Sequence, residues 1–398
     1  MTAIEDDRAA RPPSVALYRD PRARSIFIQA LFVLILLWLG WELVANARSN
    51  LAAKGIVSGF GFLNNSAGFD VNQTLIPYSP TDSVRRLYLV GLLNTLLVAV
   101  LGIIFATVLG FVIGIARLSS NWLVARIAGG YVELVRNLPL LFQLLFWYLA
   151  VLGTLPATRN SLSLFNAIFL NNRGVVLPRP VFGEGAGRVA LALAVGLLAV
   201  WAMRRWARAR QMATGKTFPT FWLGLPLLIG LPLIVTVATG FPIGFELPKL
   251  QGFNFVGGWR LIPEFAALLI GLVIYTAAFI AETVRGGILA VARSQSEAAY
   301  ALGLPRRHTM RLVVIPQALR VIIPPLTSHY LNLTKNSSLA VGIGYPDLFA
   351  VFAGTALNQS GAQAIEIIAI TMATYLALSL ATSALMNFYN ARMRLVER

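Results

Sequence analysis

Apolar runs long enough to cross a membrane recur along the chain, each closed by polar or basic residues. "SIFIQALFVLILLWLGWELVA" from Ser25 and "IEIIAITMATYLALSLATSALMNF" from Ile365 are two of them. About 20 mostly apolar residues in a helix span a hydrocarbon core of roughly 30 Å. Reading in windows of about 19 residues predicts spans near 25–47, 88–116, 138–156, 187–203, 219–239, 262–289, 312–334 and 364–389. Backbone groups in lipid must pair internally, so such runs become helices. The expected fold class is an all-α polytopic membrane protein with about eight transmembrane helices. The segments between, near 48–86, 157–186 and 240–260, are rich in Gly, Pro, Asn and aromatics and read as loops. Residues 1–24 carry mixed charge and a proline pair, which reads as a tail rather than a cleavable signal.

Composition supports this pattern. The chain is 57% hydrophobic and 12% charged, against about a quarter charged in soluble domains. A net charge of +17 is compatible with a polyanionic partner, but the basic residues gather at the ends of apolar runs. That is the positive-inside signature of a membrane protein, so no nucleic acid is expected. Arg8, Arg11, Arg19, Arg22 and Arg24 precede the first run, and Arg204, Arg205, Arg208, Arg210 and Lys216 separate the fourth from the fifth. Arg293, Arg306, Arg307 and Arg311 follow the sixth, and Arg392, Arg394 and Arg398 follow the last. Eight spans with both termini inside put all four clusters in the cytoplasm. The absence of cysteine excludes a disulfide framework, a thiolate metal site and a thiol nucleophile. Pro316, Pro324 and Pro325 predict a seventh span interrupted by helix breakers. Broken spans mark a translocation path or a crowded helix interface.

One polar stretch stands out, "SQSEAAYALGLPRRHTMRLVVIPQALR" from Ser294. Ser294 and Glu297 have capping-box spacing, and Gly303 followed by Leu304-Pro305 is a stop signal. The expected element is an isolated two-turn helix over 295–302. So short a helix is marginal alone and needs a surface to pack on. Its alanines Ala298, Ala299 and Ala301 admit close approach, so it reads as a docking knob for a soluble partner. Glu297 has two readings, a cap for its own helix or a charge offered to that partner.

"EAAYALG", nine residues, then Val313-Val314-Ile315-Pro316 resembles the coupling-loop signature of bacterial ABC-importer permeases, with Val313 for Ile and Ile315 for Leu. "GLLNTLLVAV" from Gly91, "YVELVRNLPLLFQ" from Tyr131, "YTAAFIAETVRGGI" from Tyr275 and "LTKNSSLAVGIG" from Leu333 resemble permeases for polar amino acids. The resemblance covers about 88–390, interrupted by 157–260, and looks most like the longer permease of general L-amino-acid importers. It implies a five-helix type I permease core over 88–390, an added first helix at 25–47, and an insertion at 157–260 carrying two extra helices. It implies a cytoplasmic coupling loop over 294–312, in which Ser294, Glu297, Ala298, Ala299, Gly303 and Pro305 meet an ATPase. The implied partners are a cytoplasmic ABC ATPase dimer that binds ATP and Mg, a second permease, homologous or identical, and a periplasmic amino-acid-binding protein. The implied cargo is an L-amino acid crossing the bacterial inner membrane.

Within the spans, ionisable groups are costly and invite functional readings. Glu133 and Arg136, and likewise Glu282 and Arg285, are three residues apart and able to pair on a helix. Both pairs read as gate or subunit-packing elements before substrate contacts. Asn94, Thr95 and Gln143 are the pathway candidates, because they offer hydrogen bonds without a buried charge. Lys335 and Asn336 read either as attractors of a carboxylate or as interface anchors. "ATGKTF" at 213–218 ends like a phosphate-binding loop, but Arg210 stands where that pattern needs Gly. No nucleotide, cofactor or metal is therefore expected on this chain. A self-contained secondary transporter would need carboxylates or broken helices at mid-membrane, and an enzyme would need a nucleophile, base or metal constellation. The acidic residues lie mostly at span ends, and no such constellation is evident.

Overall fold

A computed structural model describes residues 21–53, 59–355 and 363–393. The expected tail lies outside the described residues except for 21–24, which open the first helix; Arg394 and Arg398 also lie outside them.

Seven helices are long and apolar enough to cross a membrane, and a bent pair makes an eighth candidate. In chain order the helices are α1 (Pro21–Ala53), α2 (Val84–Ala116), α3 (Trp122–Asn137) and α4 (Leu140–Leu145), which runs on through a wide π turn to Leu152. Then come α5 (Ala186–Thr214), α6 (Thr220–Leu225), α7 (Leu231–Ala238), α8 (Pro263–Leu289), α9 (Arg293–Ala301), α10 (Arg306–Thr309), α11 (Ile315–Asn336) and α12 (Ala364–Met393). A π turn joins α6 to α7 and another joins α10 to α11, so each pair forms one span.

The break falls elsewhere than the prolines of the seventh span suggested. Residues Arg306–Ile343 form one continuous candidate span, with Pro324 and Pro325 inside α11. Pro316 directly follows the π turn that joins α10 to α11, so the span continues through it. The bent pair is instead α3 and α4, turned by 108° about Asn137–Leu140. Pro139 explains it: a residue before proline is pushed out of the helical region, and Leu138 is extended at φ −101°, ψ 133°.

At the centre α2 packs along α8, and α11 packs against both in one shared apolar cluster. The α2–α8 contact is close because α2 presents glycine there. A Cβ built on Gly110 would lie 2.6 Å from the Cβ of Ile280. With no hydrophobic drive between helices in lipid, small residues supply the packing area.

The loops at 157–186 and 240–260 are not irregular. They hold short strands, β1 (Leu162–Leu164), β2 (Ile168–Asn171), β3 (Gly174–Leu177), β4 (Arg179–Phe182), β5 (Ile243–Glu246), β6 (Lys249–Gln251), β7 (Asn254–Val256) and β8 (Trp259–Leu261). One sheet has the order β1-β2-β3-β8, and β4 pairs with β5. Both cross-loop pairings are antiparallel, Val176 opposite Arg260 and Val181 opposite Gly244. The two loops therefore lie on one side of the membrane, and the hairpin of α5 with α6–α7 crosses and returns between them.

Candidate coupling helix and polar cleft

α9 starts two residues earlier than capping-box spacing predicts. Its N-cap is Ala292, with no side-chain hydrogen bond, and Arg293 is its first residue. Ser294 and Glu297 therefore lie inside the helix, and Glu297 is too far along to reach back to the cap. The capping-box reading is corrected, because the extended residue that enters the helix is Ala292 (φ −56°, ψ 135°), and Ser294 is already helical. The stop is as expected. Gly303 takes φ +78°, its N–H bonds to the Tyr300 carbonyl at 2.9 Å, and the Leu304 N–H bonds to the Ala299 carbonyl at 3.1 Å. This double closure is a Schellman motif. Pro305 then caps α10, accepting from the His308 and Thr309 N–H groups.

The faces of α9 differ. Ala299 is buried against the chain's own following turn, so it anchors the helix instead of facing outward. Gln317 Nε2 donates to Gln295 Oε1 at 3.3 Å, tying α9 to α11. Ser294, Glu297, Ala298 and Ala301 are exposed, as are Leu302 at 82% and Tyr300 at 48%. An apolar leucine that open to water beside a carboxylate is a surface suited to a partner.

The span candidates divide. Asn94 and Thr95 are fully buried, and their hydrogen bonds hold the segment after α11. Asn94 Nδ2 donates to the carbonyls of Gln73 at 2.9 Å and Pro346 at 2.8 Å. Thr95 Oγ1 accepts from the Leu348 N–H at 3.0 Å. Gln143 Nε2 donates to the carbonyls of Val135 and Leu138, which satisfies groups freed by the α3–α4 bend. Glu133 and Arg136 do not pair; Arg136 lies over the Phe279 ring, 5.1 Å from its centroid. Glu282 does bond Arg285, at 2.6 Å, and also receives Arg117 from the end of α2. That triad fastens α2 to α8 at the arginine-rich end of the molecule.

Between α8 and α11 lies a polar cleft of about 230 Å³, lined by Tyr275, Thr276, Phe279, His329, Asn332 and Asn336. His329 Nε2 is 2.9 Å from Thr283 Oγ1. The cleft collects Asn336 from the expected candidates, and Arg136 stands over its Phe279 wall. Lys335 is exposed beside it. The other lining residues were not singled out as site candidates. A signal existed: His329, Asn332 and Asn336 recur at helical spacing on one face of α11.

A second polar cluster was also missed. Asp347 is completely buried between α11 and α12. It accepts from the Ala350 N–H at 2.8 Å and the Tyr375 hydroxyl at 3.1 Å. Burial pushes its carboxyl up to about 6, while those hydrogen bonds pull the other way. Among the described residues no group of His, Asp and Glu is arranged to hold a metal ion.

Residues 189–395 match the family described as binding-protein-dependent transport system inner membrane component. The chain is 53% identical over 383 residues to the general L-amino acid transport system permease protein AapQ of Rhizobium johnstonii, covering 96% of this chain and 95% of that one. It is 50% identical over 382 residues to the putative amino-acid ABC transporter permease protein YhdX of Escherichia coli K12, covering 96% and 97%. It is 45% identical over 430 aligned positions to the glutamate/glutamine/aspartate/asparagine transport system permease protein BztB of Rhodobacter capsulatus, covering 100% and 99%. On these matches the chain belongs to the family of binding-protein-dependent transport system inner membrane components, which are transport components rather than enzymes.

Proposed function

We propose that this chain imports polar L-amino acids, driven by a separate cytoplasmic ATPase dimer that binds ATP and Mg and docks on residues 294–312. An extracytoplasmic binding protein delivers the cargo, and a second permease, homologous or identical, completes the path. The observation that carries the reading is α9, a nine-residue helix stopped by a Schellman motif, fixed to its own chain by Ala299 and presenting Glu297, Tyr300 and Leu302 outward. The arginine clusters support an orientation with both termini in the cytoplasm. The permease core is assigned to 88–390, with 157–260 as an insertion.

The cleft between α8 and α11 is the favoured passage. Its Asn, Thr, Tyr and His groups suit a zwitterion, which needs hydrogen bonds at both ends but no permanent countercharge. Asn336 belongs to that wall, with Arg136 and Lys335 as flanking cations. Glu282, held by Arg285, takes Arg117 from the end of α2 as a latch between α2 and α8, and Glu133 remains an outward charge on α3. The full complex in proteoliposomes tests the reading. A binding protein loaded with glutamate, glutamine or histidine is expected to raise ATP hydrolysis, and sugar- or phosphate-loaded binding proteins are not. Stimulation by the latter alone would overturn the assignment.

A further inference from the structure

The hairpin of α5 and α6–α7 has one end that the transport reading does not use. α5 has 29 residues, roughly 43 Å of helix at about 1.5 Å per residue, which exceeds a hydrocarbon core of roughly 30 Å. Its apolar part ends at Met203, and the excess carries Arg204, Arg205, Arg208 and Arg210, with Lys216 in the turn to α6. No Asp or Glu occurs from 185 to 245. Among the described residues no ion pair reaches these five cations.

Two of the five, Arg205 and Arg210, are seated on aromatic rings. Arg205 lies 5.6 Å from the Trp201 ring, and Arg210 lies 5.4 Å from Trp206 and 5.9 Å from Phe218. Trp206 and Phe218 meet edge to face at 5.2 Å. Tryptophan marks the depth of the headgroups. Two open clefts result, one of about 550 Å³ beside Trp201, Arg205 and Met212, and one of about 340 Å³ beside Gln211, Thr217 and Phe218. Arg204 and Arg208, one turn apart, border both. The helices around them pack on each other, and Leu191, Leu198 and Ile234 face outward, so the surroundings are lipid.

We propose that the basic end of the α5–α6 turn binds the phosphodiester headgroup of an anionic phospholipid in the leaflet it faces, preferring a lipid with two phosphates. Guanidinium forks match phosphate oxygens, and two clefts sharing Arg204 and Arg208 suit two phosphates joined by a short linker. Positive charge needed only for topology requires neither aromatic seats nor paired clefts. The site anchors the hairpin, whose contact with the rest of the protein is otherwise mainly through the strands.

The test uses the full transport complex in nanodiscs of equimolar phosphatidylcholine and cardiolipin, with retained lipid counted by native mass spectrometry. Each basic group near an anionic surface is worth roughly fivefold in partition. The combined Arg204→Gln, Arg205→Gln and Arg208→Gln variant should therefore lose cardiolipin by roughly two orders of magnitude. Arg210 and Lys216 remain to hold the topology, which Met212→Cys labelling in each background verifies. The corresponding Arg→Lys variant keeps every charge but lacks the planar fork, and is expected to show an intermediate loss. That variant decides the matter if the glutamine variant does not insert. Equal retention in wild type and the lysine variant means diffuse charge and overturns the proposal. So does displacement of the lipid by inorganic phosphate, which would mean a free-anion site. Absence of cardiolipin from the wild-type complex would mean that another subunit covers the clefts, with the same consequence.

Discussion

The carboxyl of Asp347 shows how a single buried group couples to pH. Its folded value, about 6, lies above the ordinary aspartate value of about 3.9. A raised acid of this kind stabilises the fold fully below about pH 4 and loses that contribution as pH rises through about 6. The difference across the window is roughly 3 kcal/mol. Asp347→Asn keeps an acceptor for the Ala350 N–H and removes the titration. Thermal unfolding should show the variant gaining on wild type as pH rises from about 4 to about 7; a constant offset would mean the carboxyl does not titrate there. At α9 the residue scale separates folding from coupling. A Cβ on Gly303 meets nothing within 4 Å but inherits φ +78°. Gly303→Asp therefore strains the stop and sets a carboxylate at the helix's negative end. Membrane levels should stay near wild type while ATPase co-purification and transport fall. Glu297→Gln is expected to weaken the ATPase association with α9 intact, since Glu297 does not cap its helix. Normal transport by both variants would remove the docking role from this helix.

Among the elements, α2 and α8 carry the packing. Gly110→Leu drives a side chain into Ile280 and the Ala277 carbonyl, an overpacking cost of about 1–3 kcal/mol. Gly129 on α3 has nothing within 4 Å, so Gly129→Leu serves as the matched control. Fluorescence-detected size exclusion after heating should show a lower midpoint for the first and little change for the second. The apolar runs made most spans legible, but α5 runs on to Thr214, the seventh span covers Arg306–Ile343, and α3 (Trp122–Asn137) lies outside every expected span, because polar and basic residues extend a helix beyond its apolar stretch. The 108° bend between α3 and α4 was readable only as Leu138-Pro139; whether a proline bends a span depends on where it falls in the helix. Pro316 directly follows a π turn and Pro324 and Pro325 are absorbed within α11, while Pro139 divides two helices. The strands were not legible. They are three or four residues long, and the β1–β2 turn uses left-handed Phe165 and Asn166 in place of a glycine signal.

Over the whole molecule, the pairing of β3 with β8 and β4 with β5 demands that 157–185 and 240–262 share one side. Single cysteines in this cysteine-free chain test that arrangement. Asn65→Cys, Phe165→Cys and Phe253→Cys should react with an impermeant maleimide added outside. Met212→Cys and Leu302→Cys should react only when the cytoplasmic face is opened. External reaction at 302 contradicts both the orientation and the docking role of α9.

Apolar run length and the Gly303-Leu304-Pro305 stop were enough to determine the membrane class, the number of spans within the ambiguity of one bend, and the place where the short polar helix α9 ends. Each rests on local physics: the free energy of a helix in lipid, the φ that glycine permits. Tertiary structure alone decided which polar residues face a cleft and which are consumed as internal bonds. Asn94, Thr95 and Gln143 carry the same hydrogen-bonding chemistry as Asn332 and Asn336. They differ only in what lies across from them, carbonyls of Gln73, Pro346 and Val135 or the open space between α8 and α11. A buried polar group must be satisfied by whatever the fold brings near; Asn94 finds Pro346, 252 residues along the chain, besides Gln73, and Thr95 finds Leu348, 253 residues along.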